Sequence, residues 1–169
     1  FHESTVREMG RTATGVRGMT LDETGDDEVI GMICIKDPEK ETVMVVSEQG
    51  YGKRSEIEDY RITNRGGKGV KTLNITEKTG NLVAIKSVTD ENDLVIINKS
   101  GITLRMKVAD VRIMGRATQG VRLINLEKRN DEIASVCKVL SETESDSSNS
   151  ENIDSASEIN EAEASETTE

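Results

Sequence analysis

The sequence predicts an all-β protein built from repeated, blade-like units of about four strands. A 13-residue pattern, hereafter the box, occurs at residues 9–21 (box 1), 63–75 (box 2) and 114–126 (box 3), each time with Arg followed by Gly-Val four and five residues later. Residues 43–62 also align without a gap on residues 94–113, at a shift of 51. A repeat of this period, made of short apolar runs and turns, is what a propeller blade requires.

The predicted strands are short and rich in β-branched residues. They are bounded by clusters of Gly, Asp, Asn and Ser, which is typical of strands. No stretch of residues 1–140 keeps the apolar spacing of an amphipathic helix for long enough to predict one. In chain order the strands are Val29–Ile35, Val43–Val46, Leu82–Ile85, Leu94–Ile97 and Ile133–Val139.

Glycines mark the turns and the crossings between strands. Gln49-Gly50 and Ser100-Gly101 each separate an apolar run from a basic run, which predicts two equivalent hairpins. The box pairs Gly15-Val16, Gly69-Val70 and Gly120-Val121 are interpreted as structural, because Val fills a core and Gly permits a strand crossing or a bulge.

The two cysteines, Cys34 and Cys137, lie in apolar runs with no partner cysteine nearby in sequence. This predicts two buried thiols in a reducing cytoplasm rather than a disulfide or a metal site. The chain has neither an apolar run long enough to span a bilayer nor a signal-peptide pattern, so no membrane association is expected.

Charge divides the chain into two parts. All 22 Lys and Arg lie in residues 1–140 together with 22 of the 32 Asp and Glu, whereas residues 141–169 hold the other ten acids, eight Ser and no base. Such a segment buries too little apolar surface to offset the entropy of ordering. We therefore predict a folded domain over 1–140 and a disordered acidic tail over 141–169.

Basic residues recur in the same part of each unit. Residues 99–122 carry six Lys or Arg against Asp110 alone, and residues 51–71 carry six against three acids. In a radial arrangement these runs would form a positive stripe along the rim, the footprint of a protein that binds a phosphate backbone. The alternative is that half of these bases pair with neighbouring acids on a solvated surface.

The glycine-rich loop Arg65–Gly69 is a candidate phosphate cradle. Glycines let the backbone approach a ligand closely, consecutive N–H groups can surround an anion, and Lys68 adds a charge. The alternative is a flexible turn without a ligand.

Eleven basic residues are predicted to contact DNA phosphates. For Lys53 and Arg54, and likewise for Arg105 and Lys107, the reason is a preceding tight turn that would project them into solvent, with a solvated hairpin as the alternative. Arg11 and Arg116 have inter-blade hydrogen bonds as their alternative. The complete set is Arg11, Arg17, Lys53, Arg54, Arg65, Lys68, Lys71, Arg105, Lys107, Arg116 and Arg122.

Nothing in the residues supports catalysis. The chain has one histidine, His2, no metal-ligand spacing and no nucleophile-base set. Tyr51 and Tyr60 are interpreted as packing residues, and the absence of a phosphate-binding loop motif argues against nucleotide binding. We therefore expect no catalytic residue, metal or cofactor in this chain.

The three boxes and the turn Gly50–Arg54 together resemble the C-terminal domain of the bacterial DNA gyrase A subunit, over essentially all of residues 1–140. An acidic tail is also usual in that family. The resemblance implies a β-pinwheel, a propeller-like disc whose blades exchange a strand with their neighbours. It also implies that the chain is a fragment of a longer protein, about three blades from the last half of the disc.

The resemblance further implies a function. The family's disc binds double-stranded DNA along its positive rim and wraps it, which supports ATP-dependent negative supercoiling by a type IIA topoisomerase. The expected partners are the catalytic core of the gyrase A subunit and the gyrase B subunit, in an A2B2 complex of the bacterial cytoplasm and nucleoid. ATP and Mg would belong to other parts of that complex, as would the tyrosine that cleaves DNA.

Two alternatives stay open. The family's box reads Gln-Arg-Arg-Gly-Gly-Lys-Gly, and residues 63–69 depart from it at the first two positions. This leaves room for a domain of the topoisomerase IV C subunit type, which guides substrate choice. A propeller-like protein-interaction scaffold is the alternative from another class. The tail is expected either to solubilise the chain or to compete with DNA for the basic rim.

Overall fold

The computed structural model describes residues 1–23, 25–126 and 131–141. The predicted acidic tail lies outside these residues from position 142 onward. The described part is all-β, with three single-turn 3-10 helices, Glu3–Thr5, Ile57–Asp59 and Val108–Asp110, and no α-helix. Its strands are β1 Thr42–Ser47, β2 Tyr51–Glu56, β3 Leu82–Val88, β4 Asn92–Asn98, β5 Thr103–Lys107, β6 Val121–Arg122 and β7 Ile133–Leu140.

The strands form two antiparallel sheets. The first has the order β3-β1-β2-β6 and the second the order β5-β4-β7. The hairpins β1–β2 and β4–β5 turn at Gly50 and Gly101, whose φ angles of 77° and 85° favour glycine. The two predicted hairpins are therefore confirmed.

Neighbouring units exchange a strand. By sequence β3 begins the second unit, but it pairs with β1 of the first, where Val45 faces Ile85. β7 pairs with β4 in the same register after a shift of 51, since Ile96 faces Val136. Even the irregularity recurs, after Val46 in β1 and at the equivalent place in β4. The exchange implied by the resemblance is thus present in the described sheets.

The first predicted strand, Val29–Ile35, carries no strand pairing, and this prediction is wrong. No strand among residues 1–23, 25–126 and 131–141 pairs with it. Met32 is consequently 91% exposed, while Ile33 still packs beside Val43 and Val45.

The prediction of two buried thiols is also wrong, because Cys34 and Cys137 are both exposed. Cys34 belongs to the unpaired segment. Cys137 lies on β7, an edge strand whose burial pattern leaves most positions outside the core.

The core lies between and around the two central strands. All six residues of β1 are buried, because Met44 and Val46 join one apolar cluster while Val43 and Val45 join another. The larger cluster connects both sheets, and full burial of each such aliphatic side chain stabilises the fold by about 1.5–3 kcal/mol. Its buried members are Met44, Val46, Ala84, Val88, Leu94, Ile96, Val108, Val111, Leu126, Ile133 and Val136.

Candidate nucleic-acid interface

The three boxes lie side by side although the chain separates them by a whole unit. The Thr20 N–H donates to the Gly67 carbonyl at 3.0 Å and joins box 1 to box 2. The Asn74 N–H donates to the Thr118 carbonyl at 3.1 Å and joins box 2 to box 3. These are equivalent positions of the repeat, so the same bond fastens each box to the next. The boxes therefore form one continuous surface, hereafter the box surface.

The box surface is positively charged by composition. The boxes contain two, three and two Lys or Arg respectively, and no Asp or Glu. The ion pairs Arg54–Asp90 and Arg105–Asp93 both lie outside the boxes. The structure therefore gathers seven basic residues on neighbouring segments that contain no acid of their own.

Box 2 encloses a concavity of about 400 Å³, lined by Arg61 and residues 63–69. Gly66 and Gly69 have φ angles of 78° and 80°, which glycine adopts without strain. The Gly66 N–H is already used, because it donates to the Gly18 carbonyl at 2.7 Å. An anion in this concavity would consequently be met by the exposed Lys68 rather than by that N–H.

Two arginines of the boxes are anchored by carbonyls of other segments. Arg116 is half-buried, and its Nη1 donates to the Lys71 carbonyl of box 2 at 2.6 Å. The Nε of Arg65 donates to the Thr5 carbonyl at 3.0 Å. The inter-blade hydrogen bond considered for Arg116 is therefore observed.

The guanidinium of Arg122 contacts both the ring and the hydroxyl of Tyr51. This guanidinium lies 5.5 Å from the centre of the Tyr51 ring, a cation–π distance, and its Nη2 donates to the tyrosine hydroxyl at 3.0 Å. Lys78 lies 5.5 Å from the same ring. Tyr51 thus orients an exposed arginine of box 3, which agrees with its interpretation as a packing residue.

Lys53 does not project into solvent, and that prediction is wrong. Its side chain is fully buried, and Nζ donates to the carbonyls of Gly115, at 2.7 Å, and of Arg116. Burial, reinforced by the charge of Arg116 and partly opposed by that of Asp59, lowers the pKa of the Lys53 ammonium to about 8.

Arg54 is buried as well, so its predicted exposure is also wrong. Its guanidinium donates to Thr42 Oγ1 at 3.1 Å and to the Val108 carbonyl at 3.1 Å, and it pairs with Asp90 at 2.7 Å. The physical reason is shared by both residues: the following unit covers this hairpin.

The glycines of the same hairpin make room for box 3. A Cβ on Gly52 would lie 2.5 Å from Leu123 Cδ1, and one on Gly50 would lie 2.7 Å from the Ile124 carbonyl oxygen. A Cβ on Gly120 would likewise meet the Gly52 carbonyl oxygen at 2.6 Å. The turn Gly50–Arg54 is therefore a docking element, a role that sequence reasoning missed. The available signal was Gly52, a glycine inside the strand that follows the turn glycine Gly50.

The remaining predicted residues divide between the box surface and the second hairpin. Arg11, Arg17 and Lys71 are exposed on the boxes. Arg105 and Lys107 are exposed on β5, where Arg105 Nε donates to Asp93 Oδ2 at 2.8 Å.

Within the described residues no cluster of three acidic, His or Cys side chains is placed to hold a metal ion. The same residues contain no helix with the length and apolar character of a membrane span.

The chain is similar in sequence to DNA gyrase A subunits. The chain is 48% identical over 151 residues to the DNA gyrase A subunit of Staphylococcus aureus (strain NCTC 8325 / PS 47), which covers 89% of this chain and 17% of that protein. Over 126 residues it is 54% identical to the same protein of strain MRSA252, covering 75% of this chain and 14% of that protein. The chain therefore spans about a sixth of the length of these relatives.

Solved structures show the same fold. The C-terminal domain of DNA topoisomerase IV aligns with a TM-score of 0.75 at 24% identity, covering 82% of this chain and 42% of that one. The DNA gyrase A C-terminal domain aligns with a TM-score of 0.66 at 28% identity, covering 80% and 44%. The family described as DNA gyrase C-terminal domain, beta-propeller, matches residues 1–36, 41–89 and 92–137. These matches extend over the boxes, the hairpins and the exchanged strands, and the chain accordingly belongs to the DNA gyrase C-terminal domain family.

Proposed function

We propose that the chain binds double-stranded DNA along the box surface and wraps it, as a module of a gyrase A subunit. The observation that carries this proposal is the continuity of three boxes with seven basic and no acidic residues. Contacts of this kind reach phosphates and read little base sequence. The proposed contacts are Arg11, Arg17, Arg65, Lys68, Lys71, Arg116 and Arg122, with Arg105 and Lys107 on the neighbouring hairpin.

The repeat explains how such a surface would bend DNA. Each box is fastened to the next by an equivalent backbone bond, so a duplex that follows the boxes meets the same type of charge once per unit. Bending a site of 20–30 base pairs by 40–90° costs about 1–6 kcal/mol by smooth elastic estimates, which phosphate contacts offset. Sequence preference then comes from the deformability of the duplex.

For the whole protein we propose ATP-dependent negative supercoiling by a type IIA topoisomerase. The module would act with the catalytic core of the gyrase A subunit and with the gyrase B subunit, in an A2B2 complex of the bacterial cytoplasm and nucleoid. ATP, Mg and the cleaving tyrosine would lie in those other parts, and this chain would supply no catalytic residue. A domain of the topoisomerase IV type is the second candidate, favoured by the two departures of residues 63–69 from the gyrase box.

The acidic tail is proposed to be a disordered polyanion that competes with DNA for the box surface. It carries ten acids and no base over residues 141–169. Such competition is electrostatic, so it should be strongest at low ionic strength, where charges are least screened.

The deciding experiment measures binding of residues 1–169 and 1–141 to a mixed-sequence duplex across a salt series. The shorter variant keeps Ser141 because its N–H donates to the Glu91 carbonyl. We expect log Kd to change linearly with log salt for both, and tighter binding by the shorter chain at low salt. A Lys71→Met variant should bind more weakly, with a slope reduced by about one.

Circular dichroism on the same samples verifies folding. A folded chain that shows no salt-dependent binding would contradict the proposal and favour a protein-interaction scaffold. If both chain lengths bind the duplex with equal affinity at low salt, only the proposed competition by the tail is contradicted, and DNA binding by the box surface stands.

A further inference from the structure

Lys53 is a basic residue of the first hairpin and lies outside the three boxes. It is fully buried, yet its ammonium donates to two carbonyls of the turn at residues 115–118 and lies 3.5 Å from Thr118 Oγ1. This turn opens box 3 and contains Arg116. A lysine of the first hairpin is therefore bonded to the backbone that carries an arginine of the next unit.

The same turn is tied to box 2 on its other side. The Thr118 carbonyl accepts the Asn74 N–H, and Arg116 Nη1 donates to the Lys71 carbonyl. The turn at residues 115–118 is thus hydrogen-bonded both to Lys53 and to box 2. Without the ammonium, the Arg116 carbonyl loses its described donor, whereas the Gly115 carbonyl still accepts from Thr118 Oγ1 at 3.0 Å. An acceptor left without a donor favours rearrangement of the turn.

Comparison with the second hairpin links Lys53 to the docking of a box. At the positions equivalent to Gly52 and Lys53 it has Thr103 and Leu104, and in the described residues no box strand pairs with β5. Where a box docks on β2, glycine gives it space and lysine binds its turn.

We propose that Lys53 is a positioning residue for DNA binding, which orients the turn at residues 115–118 and through it Arg116, without itself touching DNA. The proposal rests on the proposed function, since it assigns a role within the same surface. It predicts that a basic residue with no access to phosphate contributes to affinity through another side chain.

A double-mutant cycle on the full chain tests this role. Lys53→Met should weaken duplex binding by roughly tenfold, the loss expected when a charge-assisted contact is misplaced. Arg116→Gln should cost a similar factor, and the double variant should bind no more weakly than Lys53→Met alone. Additive losses, or unchanged affinity of a folded Lys53→Met chain, would overturn the proposal.

Two controls separate positioning from charge and from folding. Lys107→Met removes an exposed lysine outside the boxes, so its loss should add to that of Arg116→Gln. Lys53→Gln keeps an N–H donor without a charge and should recover part of the affinity that Lys53→Met loses. If the affinity of Lys53→Gln is no better than that of Lys53→Met, the proposed hydrogen bonds are not the cause.

Acylation of lysines in the unmodified chain gives a readout that needs no variant. Lys53 should stay unreactive with and without duplex, while Lys68 and Lys71 should react in the free chain and be protected by DNA. Reaction of Lys53 in the free chain, followed by protection in the complex, would show direct contact and overturn the proposal. Failure of the unmodified chain to bind duplex would instead contradict the proposed function itself.

Discussion

The two hairpins have the same backbone but opposite outer edges. β1–β2 and β4–β5 share their turn and their register, and β1 and β4 carry the same irregularity where each pairs with its exchanged strand. Box 3 covers the edge of the first, and the Arg54 side chain is 4% exposed; in the second, the equivalent Arg105 is 41% exposed. Equivalent arginines in a repeat therefore have different roles, and the neighbouring unit determines which role each one has.

The largest expected effect separates these two arginines. Arg54→Ala should lower the free energy of unfolding by about 3 kcal/mol, because it leaves a void and removes the buried guanidinium that donates to Thr42 Oγ1 and to the Val108 carbonyl. Arg105→Ala breaks a partly exposed pair with Asp93 and should cost at most about 1 kcal/mol. Urea unfolding of both variants measures the difference. Equal losses in the free energy of unfolding would mean that the contacts of Arg54 with the following unit do not stabilise the fold.

The next effect concerns the space below box 3. Gly52→Ala should destabilise the chain by about 2 kcal/mol, because its Cβ would overlap Leu123 and the Val45 carbonyl oxygen. Thr103→Val, at the equivalent position of the uncovered hairpin, is the matched control and should change stability little. A Gly52→Ala chain with unaltered thermal and urea midpoints would refute the close packing of β6 on β2.

A smaller effect depends on pH. Folded Lys53 releases its proton near pH 8, whereas the unfolded chain holds it up to the ordinary lysine pKa. Between these values the unfolded state binds more protons, so the free energy of unfolding should rise with pH, by about 1 kcal/mol from about pH 7.5 to about pH 9. The Lys53→Met chain should lack this rise. Parallel pH profiles for the two chains would contradict the burial of a charged Lys53.

The smallest effect concerns Arg122. Tyr51→Phe keeps the ring below the guanidinium but removes the hydroxyl that accepts its N–H groups. Stability should fall by less than about 1 kcal/mol, and duplex affinity should fall by roughly threefold. Ile102→Val, at the equivalent position of the second hairpin, should leave affinity unchanged. Fluorescence anisotropy with a labelled duplex resolves a change of this size.

Four of the five predicted strands are present, and each of them pairs with another strand of the described residues. Val43–Val46 and Leu94–Ile97 are continuous apolar runs because β1 and β4 are central strands, buried on two faces. Val29–Ile35 has the same composition, but pairing depends on a partner strand, and none is present within the described residues. Composition reports the tendency to form a strand, whereas hydrogen bonding requires a neighbour.

By itself the sequence determined the repeat, the all-β class, the positions of the turns and the clustering of bases in the boxes, because each of these depends on local residue order. Only the tertiary structure decided which bases face outward. Lys53 and Arg54 form a basic pair after a turn, as exposed residues would, but docking of the next unit buries both. Burial depends on contacts between residues about a whole unit apart, and the local pattern at Gly50–Arg54 does not specify what covers it.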